Sequence, residues 1–187
     1  MIIGGVPVIF QRNLTAGHPF CFSIYICSKV SDATRFFFLM LSPDTHLDFD
    51  LELAKKHSTE NPVYYVQYAH ARISSILREA EKLGFSIKKL PRQANLELLK
   101  EEAELDLIKK LLTYPDEVAE AARAYLPHRI IGYSRELAAQ FHNFYHRLRV
   151  ISDDTELTKA RLALVFATRI VLRNVLKLLG ISAPERM

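Results

Sequence analysis

Apolar positions recur at spacings of three and four through most of the chain after residue 60, the period of a helix with one buried face. Val66, Ala69, Ile73, Ile76, Ala80 and Leu83 form the first such series. Asn61 suits an N-cap and Pro62 the first helical position, where its missing N–H is no loss. Gly84 supplies a stop, so the pattern predicts a helix of about six turns. After a loop over Phe85 to Gln93, the series Leu99, Ala103, Ile108 and Leu111 predicts a second helix from about Asn95 to Thr113. Pro115 then opens a third, shorter helix with Val118, Ala121, Ala122 and Tyr125 turned inward, halted before Pro127. A fourth starts near Pro127 and carries Ile130, Tyr133, Leu137, Phe141, Phe144 and Leu148. Ser152-Asp153-Asp154 caps a fifth, whose core positions are Leu157, Leu164, Ile170, Val171, Leu172, Leu178 and Leu179. Gly180 ends it and Pro184 forbids a restart. The expectation is an all-α protein: an antiparallel helix bundle with short loops. Residues 1–30 hold neither period for long and are expected to be a short irregular or partly disordered segment before it.

At 187 residues the chain suits one domain, or one domain and a stub of another. Hydrophobic residues at 49% and charged residues at 25% are the balance of a soluble protein with a real core. No apolar run approaches the roughly 18 to 20 residues that span a bilayer, so no membrane role is expected. The apolar stretch Phe20 to Cys27 does not read as a signal peptide, because Met1 to Phe10 carries no positive charge and no cleavage site follows. Cys21 and Cys27 lack zinc-ligand spacing and nearby histidines, and read as reduced thiols of a cytoplasmic protein.

A formal charge of +4 says little about partners, but its distribution says more. Pro91 to Glu120 carries a net −4 and Ala121 to Met187 a net +6. Nine of the eleven cations in that last stretch are arginines, whose planar fork suits phosphates and base edges. A solvated basic helix face would look the same.

The most informative stretch is Asn61-Pro62-Val63-Tyr64-Tyr65-Val66-Gln67-Tyr68-Ala69-His70-Ala71-Arg72-Ile73. On a helix, Tyr64, Tyr68, Arg72 and Ser75 share one face, bordered by Gln67, Ala71 and Ser74. Aromatic planes, a guanidinium and small residues together suit unpaired bases, by stacking and bidentate contact. Bundle tyrosines equally often bury their rings and bond a neighbouring carbonyl, and spacing alone leaves both readings open. His142 and His146 are four apart without a third ligand, so no metal is expected. They read as polar helix-face residues or phosphate contacts, and His70 and His128 as structural or RNA-facing.

That string closely resembles the start of the helical anticodon-binding domain of arginyl-tRNA synthetases, the DALR domain. Ala33 to Met40, Ser42-Pro43-Asp44-Thr45 and Leu47 to Asp50 are similar to the family's segment joining the catalytic domain to that bundle. Tyr125 to Ile130 with Phe141 to Tyr145 resembles its middle helices, and Arg161 to Leu164 through Leu179 to Met187 its last helix and tail. The resemblance therefore covers about residues 31–187. It divides the chain into an unmatched segment (1–30), a remnant of the connection (31–60) and the anticodon-binding bundle (61–187).

The family is a class I synthetase that joins arginine to its tRNA using ATP, and its bundle grips the anticodon loop. The resemblance implies Tyr64, Tyr68, Arg72, Tyr145, Arg149 and Met187 as contacts to the anticodon loop of arginine tRNAs, with Tyr65 or Tyr133 as substitutes. A HIGH-type signature is absent, and Phe10 to His18 stands where an MSK-type lysine loop belongs. This chain alone is expected to be inactive, with no catalytic residue and no cofactor; ATP and arginine belong to the full-length family. A truncated or frameshifted frame, a stand-alone module, or an N-terminus set by gene calling or cloning would each give this sequence. A non-catalytic helical interaction module and one half of a split synthetase are the alternatives. For the latter, Phe36-Phe37-Phe38-Leu39-Met40 is the expected docking patch for a separate catalytic half or for self-association.

Overall fold

The computed structural model describes residues 31–40 and 60–187. The readings made for residues 1–30, for Cys21 and Cys27, and for the stretch from Ser42 to Asp50 lie outside the described residues.

Residues 31–40 form a helix, α1. It is followed by α2 (Pro62–Lys82), a four-residue turn of helix α3 (Leu90–Gln93) and a 3-10 turn at Leu96–Leu98. Then come α4 (Glu102–Leu112), α5 (Tyr114–Ala124), α6 (His128–Arg147) and α7 (Thr155–Leu178). No strand occurs among the described residues.

Caps explain most of the boundaries. The Asn61 side chain accepts a hydrogen bond from the Val63 amide at 3.2 Å, and Pro62 occupies the first turn of α2 as the sequence predicts. Asn61→Ala is expected to lower bundle stability by about 1 kcal/mol, read as a shift in the urea unfolding midpoint. Asp154 caps α7 by accepting from the amides of Glu156 and Leu157 at 2.9 and 3.1 Å. Gly180, at φ +67, gives that helix the left-handed exit that a side chain resists.

The second predicted helix starts later than its pattern suggests. Asn95 does act as a cap, but for the 3-10 turn, its side chain accepting from the Glu97 amide. Leu99 is extended, and α4 begins only at Glu102, where Glu101 and Glu104 form a reciprocal capping box. Tyr125 departs from its expected inward position. It adopts φ 56 at the end of α5 and stands 86% exposed, because Pro127 bars helix just ahead of it and the chain must reverse into α6. Ala122 is exposed on the same helix.

Phe141, Phe144 and Leu137 of α6 pack at the centre with Ile73, Leu107, Leu162, Leu172 and Leu176, all fully buried. Leu83, Ile170 and Leu178 match the helical period yet sit on the solvent side. α4 and α6 run antiparallel, as Lys110 beside Glu136 and Glu102 beside Arg147 show. α2 and α6 instead run parallel: Tyr65 meets His142, and one turn or two further along Arg72 meets Tyr145. The excursion through α3, α4 and α5 returns the chain to the starting end, which makes that pairing possible.

The run Phe36 to Met40 is not the open apolar patch expected for docking. Phe36 and Phe37 are buried in the core, Leu39 and Met40 are partly buried against it, and Phe38 is exposed. Helical geometry turns successive residues through about 100°, so five consecutive apolar residues cannot share one face. Among the described residues no helix is long and apolar enough to cross a membrane.

Candidate nucleic-acid interface

The parallel pairing of α2 and α6 places the tyrosine series of one helix against aromatic residues of the other. Tyr64 and Tyr68 stack with centroids 6.2 Å apart and planes 11° from parallel. Tyr68 also stacks on His142 at 5.9 Å, and His142 packs against Tyr65 at 4.9 Å. Arg72 follows one turn on. Its guanidinium lies 5.5 Å from the Tyr68 ring centre and 5.1 Å from that of Tyr145. Two aromatic faces thus hold an exposed fork of donors in place by cation–π attraction.

Arg72 stands on the rim of a cleft of about 370 Å³ lined by Tyr68, Ala71, Ser75, Arg78, Arg186 and Met187. Small residues form its floor, which lets a flat group approach the helix closely, and three arginines surround it. The packing of α6 and of the tail on α2 therefore brings Tyr64, Tyr68, Arg72, Tyr145 and Met187 to one region. Arg149 lies in an adjoining groove of about 530 Å³ whose wall includes Tyr145, His146 and Arg147. Tyr145, on the wall of that groove, meets Arg72 of the cleft and so links the two depressions.

Several other residues are placed differently from their sequence reading. Tyr133 is buried, its hydroxyl donating to the Lys110 carbonyl at 2.9 Å, so it belongs to the core. Burial raises its phenol pKa strongly, which keeps that donor protonated. Gln67 and Ser74 are buried instead of bordering the cleft. His142 is a half-buried ring within the aromatic stack, not a surface phosphate contact. No group of three or more metal-ligating side chains occurs among the described residues.

Sequence reasoning missed the anchoring of the last residues. Arg35 donates to the Gly180 carbonyl at 2.6 Å. The Asp32 carboxylate accepts from both the amide and the hydroxyl of Ser182, and from the Gln67 amide group at 3.0 Å. His70 bonds the Pro184 carbonyl through Nδ1 at 2.9 Å, while Arg78 donates to the Glu185 carbonyl and Arg169 to its carboxylate. An irregular tail that would ordinarily fray is fixed against α1 and α2, which delivers Arg186 and Met187 to the cleft.

With this geometry in view, residues 66–187 match the family model of the DALR anticodon binding domain. The chain belongs to that family. An arginine–tRNA ligase of Moorella thermoacetica is 58% identical over 156 residues, covering 83% of this chain and 28% of that protein. Among solved structures, Thermus thermophilus arginyl-tRNA synthetase aligns with TM-score 0.71 and 34% identity over 85% of this chain and 27% of its own. A provisionally assigned arginyl-tRNA synthetase of Campylobacter jejuni gives TM-score 0.77 and 31% identity over 94% of this chain and 37% of its own. The chain thus spans between a quarter and two fifths of these relatives.

In this DALR domain two histidines carry a pH dependence. Burial is the largest influence on both His70 and His142, and it lowers each pKa from the ordinary 6.5. Each is therefore harder to protonate in the fold than in the unfolded chain, which takes up protons near 6.5. The stability they contribute is complete above that value and is lost as pH falls below it, towards their depressed folded values. Urea unfolding at about pH 7.5 and about pH 5.5 should show the loss, and His70→Asn/His142→Asn should flatten it.

Proposed function

We propose that this domain binds the anticodon loop of arginine tRNAs, in the cytoplasm, as the RNA-recognising portion of an arginine–tRNA ligase. The observation that carries the reading is the Arg72 guanidinium, held between the Tyr68 and Tyr145 rings at the edge of a cleft. Loop nucleotides of RNA are read when splayed out, stacked on aromatic or guanidinium planes and hydrogen-bonded along their edges. Tyr64 and Tyr68 supply planes, Arg72 a fixed fork and plane together, and Ala71 and Ser75 the room. Arg78, Arg186 and Arg149 add positive charge for the phosphates on either side of a base. ATP and arginine act elsewhere in the full-length ligase, and none of the residues named here has a role with them.

Fluorescence of an anticodon stem-loop with 2-aminopurine in its loop tests the stacking directly. Binding should change the probe's emission as the base leaves its RNA neighbours, and Tyr68→Leu should weaken binding by about 1–3 kcal/mol while the bundle stays folded. Binding that leaves the probe unperturbed at every loop position would overturn the reading.

A further inference from the structure

Asp32 is 5% exposed, yet it forms no salt bridge among the described residues. Its carboxylate is held instead by neutral donors: the Gln67 side chain and both donors of Ser182. Gln67, 4% exposed, closes the triangle by also donating to the Ser182 carbonyl and hydroxyl at 3.0 and 3.1 Å. A buried carboxylate satisfied in this way binds its donors tightly, because releasing them leaves a charge without solvation. Three separate parts of the chain meet there: α1, the core side of α2, and the tail.

The tail's position matters for the cleft. Five residues after Ser182 the chain reaches Met187, and Arg186 and Met187 form one wall of the depression that Tyr68 and Arg72 open. On α2, Gln67 lies one turn before Ala71 and two before Ser75, both of which line the cleft, so the clamp grips the helix beside that site. Ile181 is buried just before the clamp. Beyond Ser182 the other tail contacts are the His70 and Arg78 bonds to carbonyls, the Arg169–Glu185 ion pair and the partly buried Ala183. A partly exposed ion pair holds a chain end only weakly.

We propose that Asp32, Gln67 and Ser182 are positioning residues for RNA recognition: they hold the tail so that Arg186 and Met187 complete the cleft, and they tie that cleft to α1. The inference rests on the reading of the cleft as an RNA site. By linkage, an RNA loop seated against the tail tightens the clamp by the same factor that the clamp strengthens RNA binding. The clamp is therefore a two-way connection between the recognition face and the helix that precedes the bundle.

The test combines hydrogen exchange with RNA titration on the whole chain. A hairpin carrying an arginine anticodon should slow amide exchange both in 180–187 and in 31–40. Asp32→Ala should speed exchange in the tail, weaken hairpin binding about tenfold, a usual size for such coupling, and abolish the hairpin's effect on 31–40. Ser182 is exposed, so Ser182→Ala keeps the test open if Asp32→Ala does not fold. Ser182→Ala should act in the same direction, and Ser182→Thr, which keeps the hydroxyl, should restore binding. A released tail with hairpin affinity unchanged overturns the inference, as does a tail still protected in both Asp32→Ala and Ser182→Ala. If the wild-type chain binds no hairpin, the reading of the cleft fails and this inference with it. Wild-type binding with unchanged variants overturns this inference alone.

Discussion

Arg161→Met is expected to destabilise the bundle by about 3–5 kcal/mol, the usual consequence of stranding one member of a buried ion pair. Arg161 is 8% exposed and donates from Nε to the Glu104 carboxylate at 2.7 Å, and Glu104 has no exposed surface at all. The same Glu104 caps α4 by accepting from the Glu101 amide at 3.0 Å, while Arg161 also holds the Arg149 carbonyl at 2.8 Å. One pair therefore joins the start of α4, the middle of the bundle and the loop that bears Arg149. Apolar replacement of both, in Glu104→Leu/Arg161→Met, should recover most of the loss, leaving the missing cap at about 1 kcal/mol. Urea unfolding of the two variants and the wild type measures this. Equal loss in the single and double variants would show that the pair itself, not the stranded charge, sustains the fold.

Arg72→Ala should weaken binding of an arginine-anticodon hairpin by about 1–3 kcal/mol, roughly 5- to 150-fold. Arg72→Lys separates two explanations. Lysine keeps the charge but not the planar fork, nor the flat surface that fits between the Tyr68 and Tyr145 rings. If base recognition needs the fork, Lys loses nearly as much as Ala; if the side chain serves a phosphate, Lys recovers most of the affinity. Arg72 is exposed on α2, so neither variant should move the unfolding midpoint by more than about 0.5 kcal/mol. A large loss of stability would instead assign it to structure.

The helices with both a strong period and a cap are legible in the sequence: α2 and α7 begin at the predicted residues because Asn61 and Asp154 use short-range hydrogen bonds that residue order reveals. Tyr125 and Leu178 depart from expectation for the opposite reason. Helical spacing says which residues can share a face, while the neighbouring elements decide whether that face is covered. Resemblance to the family points to Tyr64, Tyr68, Arg72, Tyr145 and Met187, and the structure adds that α2 and α6 run parallel, which is what makes them adjacent. Gln67 and Ser182 lie within stretches that carry the resemblance, yet neither they nor Asp32 are marked by it as partners. Their contacts span separations of 35, 115 and 150 residues, and nothing in local periodicity marks a polar residue on a buried face as a partner for a distant tail. Arg161 likewise reads as surface charge in the sequence, whereas the fold sets Glu104 opposite it.

The central claim is anticodon recognition, and fluorescence anisotropy tests it most directly. A labelled arginine-tRNA anticodon stem-loop and the same hairpin with an altered anticodon would be titrated with this chain at two salt concentrations. The expected result is tighter binding of the arginine anticodon, weakening as salt rises, because phosphate contacts release counterions. Equal affinity for both hairpins, or no binding of either, would contradict the account.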